Sequence, residues 1–130
     1  MIPQPLSHAL LVALGGAVGS LTRWAVAVAL QRLGHFPWWT LAVNVVGCLL
    51  GGVLMGRFGV DRSRFTDEVR LLVMVGFLGG LTTFSTFSTD TLILVRRAPG
   101  LAAINVALNV CLSLGAVVLG ARLGAALART

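Results

Sequence analysis

The sequence contains no lysine and no tyrosine, and charge of either sign is scarce. Only 11% of its 130 residues are charged, against about 25% in an average soluble domain. A soluble globule of this size has too little interior to hide a chain that is 57% hydrophobic, and large exposed apolar patches aggregate. A soluble enzyme, a secreted disulfide scaffold and a disordered chain are therefore excluded. Cysteine is also sparse: Cys48 and Cys111 lie inside apolar runs, lack CxxC spacing and read as small packing residues. No nucleotide motif, hydrolytic triad or transition-metal ligand cluster appears, so no enzyme is expected.

What is present fits a polytopic membrane protein with a mean hydropathy of +0.95. Four spans of about 20 residues each leave only short loops and tails. The first span is expected at about Leu6–Leu30, and the turn Gln31–Pro37 ends it. The second runs from Trp38 to Gly56, with Trp38 and Trp39 suited to the interface. A charged stretch, Arg57–Glu68, separates it from a third span at Val69–Val95. Arg96–Gly100 turns the chain into a fourth span, Leu101–Ala121, with Arg122 capping its end. The pairs Gly15/Gly19, Gly47/Gly51, Gly52/Gly56 and Gly120/Gly124 predict close helix packing. The N-terminus, Met1–Pro5, lacks a basic region, and no cleaved signal peptide is expected.

All ten basic residues are arginine, and the acids are Asp61, Asp67, Glu68 and Asp90. The arginines flank spans and are not gathered on one face, which argues against nucleic acid as a partner. Six of them (Arg57, Arg62, Arg64, Arg70, Arg122, Arg129) fall on one side of the membrane, against three (Arg32, Arg96, Arg97) on the other. That bias modestly favours both termini inside. Arg23 belongs to neither group. It either snorkels to the interface or draws anions into a vestibule.

Polar residues inside lipid are costly and need a reason. Thr40, Asn44 and Cys48 recur every four residues on the second span, and Asn105, Asn109 and Ser113 do so on the fourth. Such spacing keeps each set on one helix face. Matching stripes of amide and hydroxyl donors read either as interhelical glue or as a polar path, and as a path they suit an anion. Seven hydroxyl side chains fall between Thr82 and Thr91, one residue after Gly79-Gly80. Glycine pairs and β-branched hydroxyl residues disfavour regular helix. Non-helical backbone survives at membrane depth only when buried or lining a cavity. The third span is thus expected to be broken near the membrane middle, freeing carbonyls able to hold a cation such as Na⁺. Phe84 and Phe87 share a helix face, and phenyl edges are weakly positive.

Three segments together resemble the Fluc (CrcB) fluoride-channel family. They are Gly15-Gly16-Ala17-Val18-Gly19 followed by Arg23, Thr40–Gly47, and above all Gly76–Phe87 with its Gly-Gly-Leu-Thr-Thr-Phe-Ser-Thr-Phe string. The resemblance covers essentially the whole chain. It implies an all-α membrane protein: an antiparallel, dual-topology homodimer of four-helix subunits in a bacterial inner membrane, with two fluoride pores. It also implies a central, non-transported Na⁺ held by the backbone carbonyls of Gly79 and Thr82. Phe84 and Phe87 match the pore aromatics, Asn44 the pore asparagine, and Asn105, Asn109 and Ser113 a polar track where the family often shows tyrosine and serines.

The expected function is passive export of fluoride. One rival is a small dual-topology drug–proton exchanger, which needs a membrane-embedded carboxylate, conventionally in its first span. Here that span has Arg23, and the only intramembrane acid is Asp90. A second rival is a structural membrane subunit, against which the paired stripes and the broken span count.

Overall fold

The computed structural model describes residues 4–59 and 66–129. Asp61, Arg62 and Arg64 of the charged stretch, and the first three residues of the N-terminal segment, lie outside the described residues. The described chain is all helical. Its elements are α1 (Gln4–Leu30), α2 (Trp38–Phe58), α3 (Asp67–Val69), a π-helix (Arg70–Leu78), α4 (Gly79–Leu81), α5 (Phe84–Arg97) and α6 (Pro99–Leu127). Elements α3 to α5 together form the third span, Asp67–Arg97. All four spans are long and apolar enough to cross a membrane. At about 1.5 Å per residue, the 21 residues of α2, the shortest span, match a hydrocarbon core about 30 Å thick.

The helices outrun the apolar segments that the sequence marks. α2 continues past Gly56 to Phe58, the third span starts at Asp67 and ends at Arg97, and α6 runs from Pro99 to Leu127. Hydropathy reports where lipid ends, whereas helical hydrogen bonding continues into the interface. Arg122 therefore does not cap the fourth span, which extends five residues beyond it. The cap role falls to Arg57, whose Nη1 donates to the Leu127 carbonyl. A cation from the end of α2 thus meets the negative end of α6. Thr66 caps α3, its Oγ1 accepting from the Val69 N–H at 3.4 Å. Pro99 starts α6 at a position where its missing N–H costs nothing.

Two tight seams organise the bundle. α1 packs along the π-helix and α4, and α2 packs along α6. Both seams are built on glycine. A Cβ at Gly15 or Gly19 would strike the carbonyls of Leu72 or Phe77, and one at Gly52 or Gly120 would strike those of Val117 or Leu49. Gly47 has another use: its missing side chain makes room for the methyl of Thr82. α5 lies against α6. The core that these seams enclose is small, centred on Val43, Leu78 and Leu81. Leu14, Leu21 and Trp24 of α1 are exposed, as lipid-facing residues should be.

The π-helix is a feature that the sequence reading does not anticipate. Arg70–Leu78 reads as ordinary apolar helix, and nothing in its composition signals the wider turn. π-helical segments are rare and cluster at functional sites.

Candidate functional site

The break lies in the middle of the third span. Leu81 ends α4, and Thr82 (φ −81°, ψ 156°) and Thr83 (φ −153°, ψ 114°) are extended. Helix resumes at Phe84. The break is narrower than the hydroxyl-rich sequence suggests. Gly79 and Gly80 remain helical, and Gly80 serves close contact with the backbone of Gly16 on α1. Ser88, Thr89 and Thr91 turn their hydroxyls back onto carbonyls of their own helix. They decorate α5 without interrupting it. Thr83 does the work of restarting the helix. Its Oγ1 accepts from the Thr86 N–H at 3.2 Å and donates to the Thr86 hydroxyl at 2.9 Å, as an N-cap should.

The sequence-marked residues converge on this break. The Asn44 Oδ1 accepts from the Thr83 N–H at 2.9 Å, and the Asn44 Nδ2 donates to the Thr83 carbonyl at 3.2 Å. The same Nδ2 donates to Asn109 Oδ1 at 3.1 Å. Asn109 Nδ2 then donates to the Asn105 carbonyl oxygens, backbone at 3.1 Å and side chain at 2.9 Å. Asn105 Nδ2 donates to Thr91 Oγ1 at 2.9 Å. The two stripes read from the sequence thus meet in one hydrogen-bonded ladder between α2, the break and α6. Asn105 is fully buried and Asn109 nearly so. Ser113, one turn further along α6, has a buried Oγ with no hydrogen-bond partner. Cys48, last of the α2 stripe, is a free thiol.

Phe84 and Phe87 form a tilted ring pair with centroids 5.4 Å apart. Their environments differ sharply: Phe87 is 8% exposed and Phe84 79%. Phe87 belongs to the interior of the chain, and Phe84 presents its ring at the surface of α5.

Arg23 reaches the break from α1. Its Nη1 donates to the Thr82 carbonyl at 3.5 Å. Thr82 itself caps α4, with both its N–H (3.0 Å) and its Oγ1 (2.9 Å) directed to the Leu78 carbonyl. A pairing that the sequence reading missed links Thr40 to Asp90: the buried Thr40 hydroxyl donates to Asp90 Oδ2 at 2.6 Å. The signal was available, because a carboxylate inside a span needs a donor and the facing stripe begins with a hydroxyl.

The break leaves carbonyl oxygens of the kind a hard cation takes as ligands. In an unbroken helix the Thr83 N–H would serve the Gly79 carbonyl, but here it goes to Asn44. The Gly79 carbonyl therefore loses its helical donor, and the Thr82 carbonyl lies at the end of α4. Both are hard, neutral oxygens. Among the described residues no cluster of histidine, cysteine or carboxylate could hold a metal ion.

The family model for CrcB-like protein, Camphor Resistance (CrcB), matches residues 10–121. The chain belongs to the CrcB family. The match begins within α1 and ends within α6, so it contains all the residues of the ladder, the break and the aromatic pair. CrcB relatives cover nearly the whole chain. A protein of Rhizobium etli (strain CIAT 652) named fluoride-specific ion channel FluC is 49% identical over 124 residues, which are 93% of this chain and 98% of its own. A Shewanella woodyi protein of the same name is 42% identical over 121 residues, 91% of this chain and 96% of its own. Another, from Erythrobacter litoralis, is 42% identical over 123 residues, 89% and 90% of the two chains.

Proposed function

We propose that this chain is a fluoride-selective passive channel that lets cytoplasmic fluoride leave the cell. The break at Thr82–Thr83, set between the phenylalanine pair and the asparagine ladder, carries the reading, and the names of the CrcB relatives support it. HF crosses bilayers as a neutral acid and dissociates in a less acidic cytoplasm, which traps the anion. An inside-negative membrane potential drives fluoride out through a channel without further coupling.

The path runs beside Phe84 and Phe87, whose ring edges offer weakly positive charge. Thr40, Asn44, Asn105, Asn109 and Ser113 border it, and the unpartnered Ser113 hydroxyl is a donor ready for an anion. Arg23 supplies positive charge near the break. The working unit is an antiparallel, dual-topology homodimer in the cell inner membrane. The 79% exposure of Phe84 is consistent with a second subunit completing the aromatic lining. Gly79 and Thr82 of each subunit would hold a structural Na⁺ through their carbonyls. When bound, the ion would satisfy the Gly79 carbonyl, which the break deprives of its helical donor, and would lower the electrostatic cost of an anion nearby. The drug–proton exchanger is disfavoured, because Asp90, the carboxylate deep in the third span, is engaged by Thr40.

The deciding experiment is fluoride efflux from liposomes containing the purified protein, read with a fluoride electrode. Rapid efflux with chloride retained is expected. No efflux above protein-free liposomes refutes the channel. Accessibility of a C-terminal tag from both sides of the membrane is expected for dual topology, and a single orientation refutes it.

A further inference from the structure

Two carbonyls at the break lose their helical donors, and in each case a side chain takes the donor away. The Thr83 N–H, which an unbroken helix would aim at the Gly79 carbonyl, goes to Asn44 Oδ1. The Thr86 N–H, which would serve the Thr82 carbonyl, goes to Thr83 Oγ1. These are the two oxygens proposed to hold the central ion, and their situations differ. The Thr82 carbonyl already receives a positive group, because Arg23 Nη1 donates to it at 3.5 Å. Such bonds usually measure about 2.9–3.0 Å, so this one is weak and open to displacement.

Arg23 has no other anchor. Among the described residues it forms no ion pair, and the Thr82 carbonyl is its only hydrogen-bond acceptor. Asp90, the carboxylate deep in the third span, is taken by Thr40. The guanidinium is half-buried on α1 and stays charged at any working pH. An ion on the Thr82 carbonyl would therefore lie close beside a full, unneutralised positive charge.

We propose that Arg23 is a tethered cation that shares the Thr82 carbonyl with the central ion and weakens that ion's binding. Two effects act in the same direction. The guanidinium takes up one of the carbonyl's two lone pairs, and like charges repel more strongly inside a protein than in water. The coupling is reciprocal: whatever factor Arg23 takes from the ion's affinity, the bound ion takes from Arg23's hold on Thr82. With the site filled, the guanidinium is freer to meet an anion. The inference rests on the reading of the break as an ion site and deepens it, since it makes the structural ion and the anion-attracting arginine two halves of one arrangement.

The test titrates Na⁺ against N-methylglucamine at constant chloride and ionic strength, with the full chain in detergent, and follows the melting temperature. In the unmutated protein melting should rise with Na⁺ to a plateau. Arg23→Gln removes the charge and should reach half of that rise at about one-tenth of the Na⁺ concentration. Arg23→Lys keeps a charge at the same helix position and should need nearly as much Na⁺ as the unmutated protein. In parallel, NMR of ¹⁵N-arginine-labelled protein in lipid nanodiscs observes the guanidinium itself, its signals assigned by their loss in Arg23→Lys. In the unmutated protein these signals should shift as Na⁺ is added, and their hydrogens should exchange faster with water. Melting that responds to Na⁺ with the same half-saturation in Arg23→Gln as in the unmutated protein would overturn the proposal and leave the ion. So would Arg23 signals that stay still while Na⁺ raises the melting temperature, and that measurement decides if Arg23→Gln does not fold. Melting and signals both indifferent to Na⁺ would sink the ion, and the proposal with it.

Discussion

Thr40 donates its hydroxyl to Asp90 across 2.6 Å, joining α2 to α5 at a position where Thr40 is fully buried. The pair gives a carboxylate inside a span the donor it requires. Truncating only the donor, as Thr40→Val, strands the acceptor and should destabilise the fold by about 1–3 kcal/mol. Thr40→Ser should cost much less. Combining Thr40→Val with Asp90→Leu removes both partners and should recover much of the loss. Thermal unfolding in detergent ranks the variants, and a double variant less stable than either single would contradict the pairing.

The two phenylalanines separate stability from transport. Phe84 is exposed, so Phe84→Ile should leave the fold of the chain intact. Phe87 is buried, and Phe87→Ile should cost about 1 kcal/mol through imperfect repacking. Both keep apolar bulk and lose the ring quadrupole, and fluoride flux should fall in both. Flux equal to that of the unmutated protein in both variants, at matched protein per liposome, would remove the rings from the path.

The α2–α6 seam predicts a contrast among glycines on one helix. A Cβ on Gly120 would meet the Leu49 carbonyl and Val53 nitrogen, whereas one on Gly115 meets nothing within 4 Å. Gly120→Ala should therefore cost about 1–3 kcal/mol by overpacking. Gly115→Ala should be neutral or stabilise by a few tenths, since alanine is the better helix former. Equal melting temperatures for the two variants would contradict the seam.

Prolonged removal of Na⁺ from both faces of reconstituted protein, with a large organic cation in its place, should let fluoride flux decay and Na⁺ should restore it. Carbonyls are the expected ligands, so side-chain changes at Thr82 should matter less than the ion. Flux indifferent to the exchange would remove the ion from the proposal.

The four spans were legible because lipid demands an unbroken apolar run, and hydropathy measures that directly. The break was legible to within a few residues, though for a reason only partly right. The hydroxyls after Thr83 are absorbed by α5, and the two glycines stay helical. The extended pair Thr82–Thr83 is set by Asn44, a residue 39 positions from Thr83 in the chain. The stripes on α2 and α6 were visible as spacing, but spacing along one helix does not say which residue of another it meets. The contact of Asn44 with Asn109 depends on how the glycine seam registers α2 against α6, and that is a property of packing. The π-helix left no trace in composition, because its residues would suit an α-helix equally well.

The two seams also bear on how the chain is made. α1 touches α2 only sparsely, and each finds its main partner in a segment synthesised later. The first two spans therefore enter the bilayer as strangers to one another. Asn44, already in the membrane, has neither Thr83 nor Asn109 to bond until the third and fourth spans arrive. An amide waiting in hydrocarbon favours staying near the translocation machinery or water over dispersing into lipid. The asparagine ladder can thus close only once α6 is in place.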